Sequence, residues 1–249
     1  MYYADRLNQL PIGVIGIAAG TVLLPDLARR IAGGDEAGAR HAQNRAIELT
    51  LILALPFLVG FLAVPELIMR ALFMRGAFTA ADAAAAGATL RAYAIGLVPF
   101  VLIRSMVATF FARGDTATPV KASLTAVAVN IAFKILLMGP LAQIGLALAT
   151  SIGAWINVAL VGWLAWRAGF LRTDAALKRS VLVLAGIGVV LALALWLAEQ
   201  PVAHIFAGGR LAEVATLLTL AGFAALLYGG ALALALGPRA RALLRQMKP

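Results

Sequence analysis

Cysteine is absent from the 249 residues, which excludes disulfides, thiolate catalysis and cysteine-based metal sites. Histidine occurs only twice, as His41 and His204, both in segments that read as loops. No serine, histidine and carboxylate group therefore converges on one membrane depth, and no His/Asp/Glu spacing suits a metal. A phosphate-binding glycine loop is missing too, so the sequence points to neither an enzyme nor a cofactor protein. Charge is scarce: 13% of residues are charged and 63% are hydrophobic, which excludes an ordinary soluble domain. The net charge of +10 would suit nucleic acid, but the basic residues sit in short loops between apolar runs. That distribution marks membrane topology, and no nucleic-acid partner is expected.

What is present is a series of seven apolar runs, at roughly 7–27, 47–69, 89–111, 120–138, 143–166, 180–198 and 213–236. They predict an all-α polytopic membrane protein with about seven transmembrane helices. Fourteen Lys and Arg residues fall in loops on one side and only Arg70, Arg75, Arg91 and Arg210 on the other. The positive-inside rule then places the C-terminus in the cytoplasm and Met1 outside. With almost no chain before the first run to carry it across, upstream spans, odd in number, are expected.

The first run carries polar residues that lipid disfavours. In YYADRLNQLPIGVIGIAAGTVLLP, Arg6, Gln9, Gly13, Gly16 and Gly20 recur at steps of three and four, so they share one helical face. A charge facing hydrocarbon costs roughly 2.5–3.5 kcal/mol on insertion scales, which directs Asp5 and Arg6 toward a partner helix or a wet cavity. Gly16 and Gly20 have GxxxG spacing, which predicts close approach of another helix. Two depths fit the charged pair. An upright helix leaves it at the outer interface, and a tilted one brings it into a central cavity. Pro11 favours the cavity, because it frees the Leu7 carbonyl and kinks the helix near the charged turn. An arginine fork there would suit a phosphate or diphosphate.

Two further cations lie within runs. Arg104 shares a face with Gly96 and Phe100 and fits either a second cavity cation or a side chain snorkelling to the inner headgroups. Lys134 follows Asn130 by four residues near the outer end of the fourth run. It fits snorkelling, or an ammonium built in where a transporter would hold a coupling cation. The loop 28–46 reads as a basic surface segment with a short helix, its arginines serving as orientation signals and headgroup contacts. Thr79 and Asp82 form a T-x-x-D capping box, Gly114-Asp115 a helix break, and MGPLAQIG an antiparallel turn. The last two runs contain no internal charge and read as peripheral. Seven spans also suit a receptor or retinal protein, but the last run has no lysine for a Schiff base and the outer loops are small.

Three stretches, YYADRLNQLPIGVIGIAAGTVLLPDLAR, LFMRGAFTAADAAAAGATLRAYAIGL and FFARGDTATPVK, resemble in order and spacing the successive signatures of the MurJ (MviN) lipid II flippase family. The resemblance implies the multidrug/oligosaccharidyl-lipid/polysaccharide exporter fold, two six-span bundles around a central cavity with two extra C-terminal helices. Residues 1–166 would supply five spans of the second bundle, and 167–249 the extra pair with a basic cytoplasmic tail. The family moves undecaprenyl-diphosphate-linked peptidoglycan precursor from the inner to the outer leaflet of the bacterial cytoplasmic membrane. By resemblance, Asp5 and Arg6 match its cavity-lining pair, with Arg6 contacting the diphosphate, and Gln9 stands where some members carry glutamate. The partner would be the N-terminal half of the same protein, whose arginines complete the anion site. Some members bind sodium near the fourth and fifth spans here. Asn130 matches one ligand, but Lys134 stands where an acid or amide is expected, which predicts no sodium site or one replaced by the ammonium. The last two helices resemble a groove for the lipid tail. Two other readings stay open: an exporter of another polyprenyl-linked glycan or amphipathic drug, and a truncated bundle that inserts but transports nothing.

Overall fold

The computed structural model describes the backbone of residues 1–207 and 211–246, and side-chain surroundings except at 17–22, 236 and 238–246. Every regular element among them is helical: α1 (Tyr2–Ala32), α2 (Glu36–Ala63), α3 (Pro65–Phe73), α4 (Ala80–Phe111), α5 (Ala117–Arg167), α6 (Ala175–Ile205) and α7 (Ala212–Gln246). Five of these, α2 and α4 to α7, are long and apolar enough to cross a membrane. With the apolar sequence, this makes the chain a multi-pass membrane protein, because helices satisfy their own backbone polar groups in lipid.

Helix α4 is the centre, packing against α1, α2, α3 and α5. Its start is the expected capping box: Thr79 accepts from the Asp82 amide at 3.2 Å while Asp82 accepts from the Thr79 amide at 2.9 Å. Leu90, Leu97 and Val101 are fully enclosed, and Leu90 and Leu97 sit in a core that extends to α3, α6 and α7. Where α4 meets α5, Gly96 lets the Ser151 backbone approach, and Ser151 Oγ donates to the Ala92 carbonyl at 2.8 Å. The Trp155 indole N–H reaches the Ile95 carbonyl at 2.9 Å beside it.

Helix α5 is two arms. Ala142 has φ 46° and ψ −126°, which reverses the chain at the expected turn. Leu137 then meets Gly145, Asn130 meets Gly153 and Ser123 meets Asn157, positions that diverge in opposite directions from Ala142, as in an antiparallel hairpin. At the start of α5 the Asp115 carboxylate accepts from the Thr118 amide at 3.0 Å, and Pro119 occupies the first turn. The hydrogen bonds from the Thr118 side chain and amide hold Asp115 below the ordinary carboxylate range.

Three expectations need correction. The run at 47–69 is broken at Val64, because Pro65 lacks an amide hydrogen and starts α3 as a separate element. The segment 28–46 is not a surface loop. Helix α1 continues to Ala32, a break at Gly33-Gly34 follows, and α2 begins at Glu36 with the Asp35 side chain capping Gly38. His41 therefore lies in α2, and His204 lies in the last turn of α6; neither is in a loop. The basic residues at 239, 241, 245 and 248 lie outside the described side chains.

The final pair, α6 and α7, packs on itself and on α2. Tyr228 of α7 donates to the Ile52 carbonyl of α2 at 2.6 Å, which supplies the buried phenol with a partner.

Candidate functional site

Helix α1 turns Ala4, Asn8, Pro11 and Ile15 into the protein, while Tyr2, Arg6, Gln9 and Val14 stay exposed. Arg6 and Gln9 thus face away from the core of this chain, Asp5 is half-buried beside them, and Asn8 is buried. Gln9 links the two charges: its Nε2 donates to Asp5 Oδ2 at 2.7 Å, and its Oε1 accepts from Arg6 Nη1 at 3.3 Å. The Arg6 guanidinium lies 5.2 Å from the centre of the Tyr2 ring. Held from both sides along one turn, Arg6 keeps further N–H donors free of hydrogen bonds among the described residues. Such a fixed guanidinium can bind a phosphate or diphosphate through charge-assisted bonds.

The second cation lies lower on the same face. The Arg104 side chain rests on α1 at Gly16, so closely that a Cβ there would sit 2.5 Å from its Cδ and Nε. Gly16 thus accommodates an arginine side chain rather than another helix backbone. Gly13 borders open space, and the surroundings of Gly20 lie outside the described residues. Ten residues separate Arg6 from Gly16, about 15 Å along the axis. The outcome is a strip on α1 with a cation near each end and glycine between. Sequence reasoning placed Arg6, Gln9, Gly13 and Gly16 on one face, but the Arg104 contact with that face is visible only in three dimensions.

Asn130 and Lys134 are half-buried on the first arm of α5, with Asn130 packed against Gly153 of the second arm. Helix α4 packs against both α1 and α5, so this region is separate from the Arg6–Arg104 strip. Among the described residues no three His, Cys, Asp or Glu side chains cluster as metal ligands.

Sequence reasoning missed a polar knot between α2 and α6. Glu48 is 1% exposed and is bonded by both Arg45 and the Ser180 hydroxyl. Arg45 Nη2 also reaches both oxygens of Asp174, at 2.7 and 2.8 Å, and Asp174 caps α6 through the Leu177 amide at 2.7 Å. Asn44 donates to the Arg172 carbonyl at 2.9 Å nearby. The available signal was a carboxylate at the very edge of an apolar run, which needs a partner.

Between α6 and α7 lies an apolar cavity of about 250 Å³, lined by Val183, Ile187, Val190, Leu191, Leu227 and Tyr228 among others. Its walls can hold hydrocarbon.

Residues 1–216 match the family described as Lipid II flippase MurJ. The chain is 41% identical over 198 residues to a probable lipid II flippase MurJ from Rhizobium tropici, covering 77% of this chain and 37% of the relative. A protein of the same description from Rickettsia prowazekii is 35% identical, over 71% of this chain and 35% of its own length. Among solved structures, a lipid II flippase MurJ in an inward closed conformation superposes with a TM-score of 0.74 at 23% identity. It covers 94% of this chain and 46% of that one, and shows the same fold. The chain spans little more than a third of the curated relatives it matches.

Proposed function

The chain belongs to the MurJ family of lipid II flippases, and from that premise we propose that it forms part of a transporter that flips a polyprenyl-diphosphate-linked peptidoglycan precursor between membrane leaflets. Residues 1–166 contribute to the second bundle and 167–249 are the two additional helices, with the C-terminus in the cytoplasm of a bacterial cell. A further bundle, corresponding to the rest of the relatives' length, faces the α1 strip and completes the cavity.

The observation that carries this reading is the outward-facing Asp5–Gln9–Arg6 relay, with Arg104 laid across Gly16 on the same helix. A diphosphate carries concentrated negative charge and needs paired donors when it leaves water. Arg6 supplies such donors, and Arg104 supplies a second station about 15 Å away. Gln9 holds Asp5 to one side, so the carboxylate is engaged rather than opposed to the phosphate. The polyprenyl tail stays in lipid and runs along the apolar cavity between α6 and α7. Rocking of one bundle against the other moves the head group across without forming or breaking a covalent bond. Asn130 and Lys134 form the possible ion region, where the ammonium takes the place of a coupling cation.

The test is complementation in a bacterium depleted of its own lipid II flippase, using this chain joined to a first bundle from a relative. Growth restored by the joined protein, and lost in its Arg6→Ala variant at equal membrane abundance, supports the proposal. Unchanged growth with Arg6→Ala removes Arg6 from the mechanism. Failure of the well-expressed joined protein favours another polyprenyl-linked glycan as substrate.

A further inference from the structure

Away from the α1 strip, a cavity of about 240 Å³ opens where α3 meets the α6–α7 end of the molecule. Its polar lining is Arg70, Glu199, Gln200, Glu213 and Thr216. Three apolar runs end at this level: Arg70 follows the second, Glu199 follows the sixth and Glu213 opens the seventh. The cavity therefore lies at the depth of the lipid head groups. Trp196, one turn before Gln200, is 63% exposed, as suits an aromatic side chain at the membrane interface.

The charges in this cavity are incompletely matched. Among the described residues Arg70 Nε is buried without a hydrogen-bond partner, and Arg70 Nη1 forms an ion pair with Glu66 at 3.8 Å that is too long for a hydrogen bond. Glu199 and Glu213 are half-buried, and among the described residues neither makes an ion pair within 4 Å. The Thr216 hydroxyl is engaged with the Ala212 carbonyl at 2.8 Å and adds no donor. A simple anion would meet the two lining carboxylates, with the Glu66 carboxylate beside Arg70 as a third. A simple cation would meet Arg70. A ligand with both signs satisfies both sets, its phosphate on Arg70 and its ammonium on the glutamates.

We propose that this cavity binds the head group of a zwitterionic aminophospholipid, phosphate to Arg70 and primary ammonium to Glu199 and Glu213. The proposal is independent of what the α1 strip transports. A primary ammonium has N–H donors for the carboxylates, whereas a trimethylated one has none. The cavity thus distinguishes phosphatidylethanolamine from phosphatidylcholine at equal net charge. The acyl chains remain in the bilayer beside the exposed faces of α6 and α7.

The experiment uses the full chain in nanodiscs holding equal parts of phosphatidylethanolamine and phosphatidylcholine. Lipids retained after mild detergent extraction are counted by native mass spectrometry. Retention of phosphatidylethanolamine in preference to phosphatidylcholine is expected, reduced about tenfold or more in both Arg70→Gln and Glu199→Gln. The wild-type comparison of the two lipids needs no variant to fold. Equal retention of both lipids overturns the proposal, as does preference unchanged in both variants. Displacement by soluble phosphoethanolamine overturns the assignment to a lipid and gives the cavity to a small soluble zwitterion.

Discussion

Arg45 of α2 and Asp174 at the cap of α6 are joined by a single guanidinium nitrogen that reaches both carboxylate oxygens, at 2.7 and 2.8 Å. The same arginine neutralises Glu48, which is almost wholly enclosed. Removing it strands a buried carboxylate, and such breaks cost about 3–5 kcal/mol. Arg45→Ala is therefore expected to lower the thermal unfolding midpoint in detergent sharply. Adding Glu48→Leu to it should recover most of the loss, because no fully buried charge then remains: Asp174 is partly exposed and keeps its bond from the Leu177 amide. A double variant no better than Arg45→Ala alone would contradict this account.

Gly16 and Arg104 should behave as one unit in transport. A methyl group at position 16 collides with Arg104 Cδ and Nε, the middle of a flexible side chain, so the fold should tolerate Gly16→Ala. The guanidinium would be displaced from the strip. If the chain joined to a first bundle flips lipid as proposed, Gly16→Ala and Arg104→Ala are expected to lower that joined protein's flipping in vesicles by similar factors, and the double variant by no more than either. Multiplying effects would show that the two residues act separately.

The hairpin of α5 depends on two small residues with opposite sensitivities. Ala142 holds a positive φ that suits glycine, so Ala142→Gly should stabilise by up to about 1 kcal/mol. A Cβ at Gly145 would lie 2.2 Å from the Leu137 carbonyl oxygen, a backbone atom that cannot swing aside. Gly145→Ala should therefore destabilise the hairpin. Thermal unfolding of both variants in the same detergent decides the signs.

Asp115 makes stability depend on pH in a defined direction. Its carboxyl is held low by Thr118, so the folded state favours the charged form. The resulting stabilisation is full above the ordinary carboxylate value and is lost as pH falls through the lowered one. The difference in unfolding midpoint between the natural chain and Asp115→Asn should shrink on acidification across that window. A constant difference down to the most acidic stable pH would assign the effect to packing instead.

Much of the helical order was legible in the residues themselves. The capping box at Thr79, the break at Gly114-Asp115 and the reversal near Ala142 are local chemistry, and each lies where its residues indicate. The shared face of Arg6, Gln9, Gly13 and Gly16 is also local, since it follows from helical period alone. Arg104 on Gly16 and Arg45 on Asp174 are different, because they join residues 88 and 129 positions apart. Helical period says nothing about which neighbour a face meets. The segment 28–46 was misjudged for a related reason: its charge suggested a surface loop, while buried partners for Gln43, Asn44 and Arg45 extend α2 through it.

Helix α2 is tied to the turn that follows α4 through Glu36 and Arg113, to the start of α6 through Arg45 and Asp174, and to α7 through the Ile52 carbonyl and Tyr228. Those ties are spread along its length from the first turn to beyond its middle. A member pinned at several points acts as a splint, and a splint transmits torque without bending. Any rotation of the central helices must then carry the last two with it, so a hydrocarbon chain resting between α6 and α7 would be swept along rather than left behind.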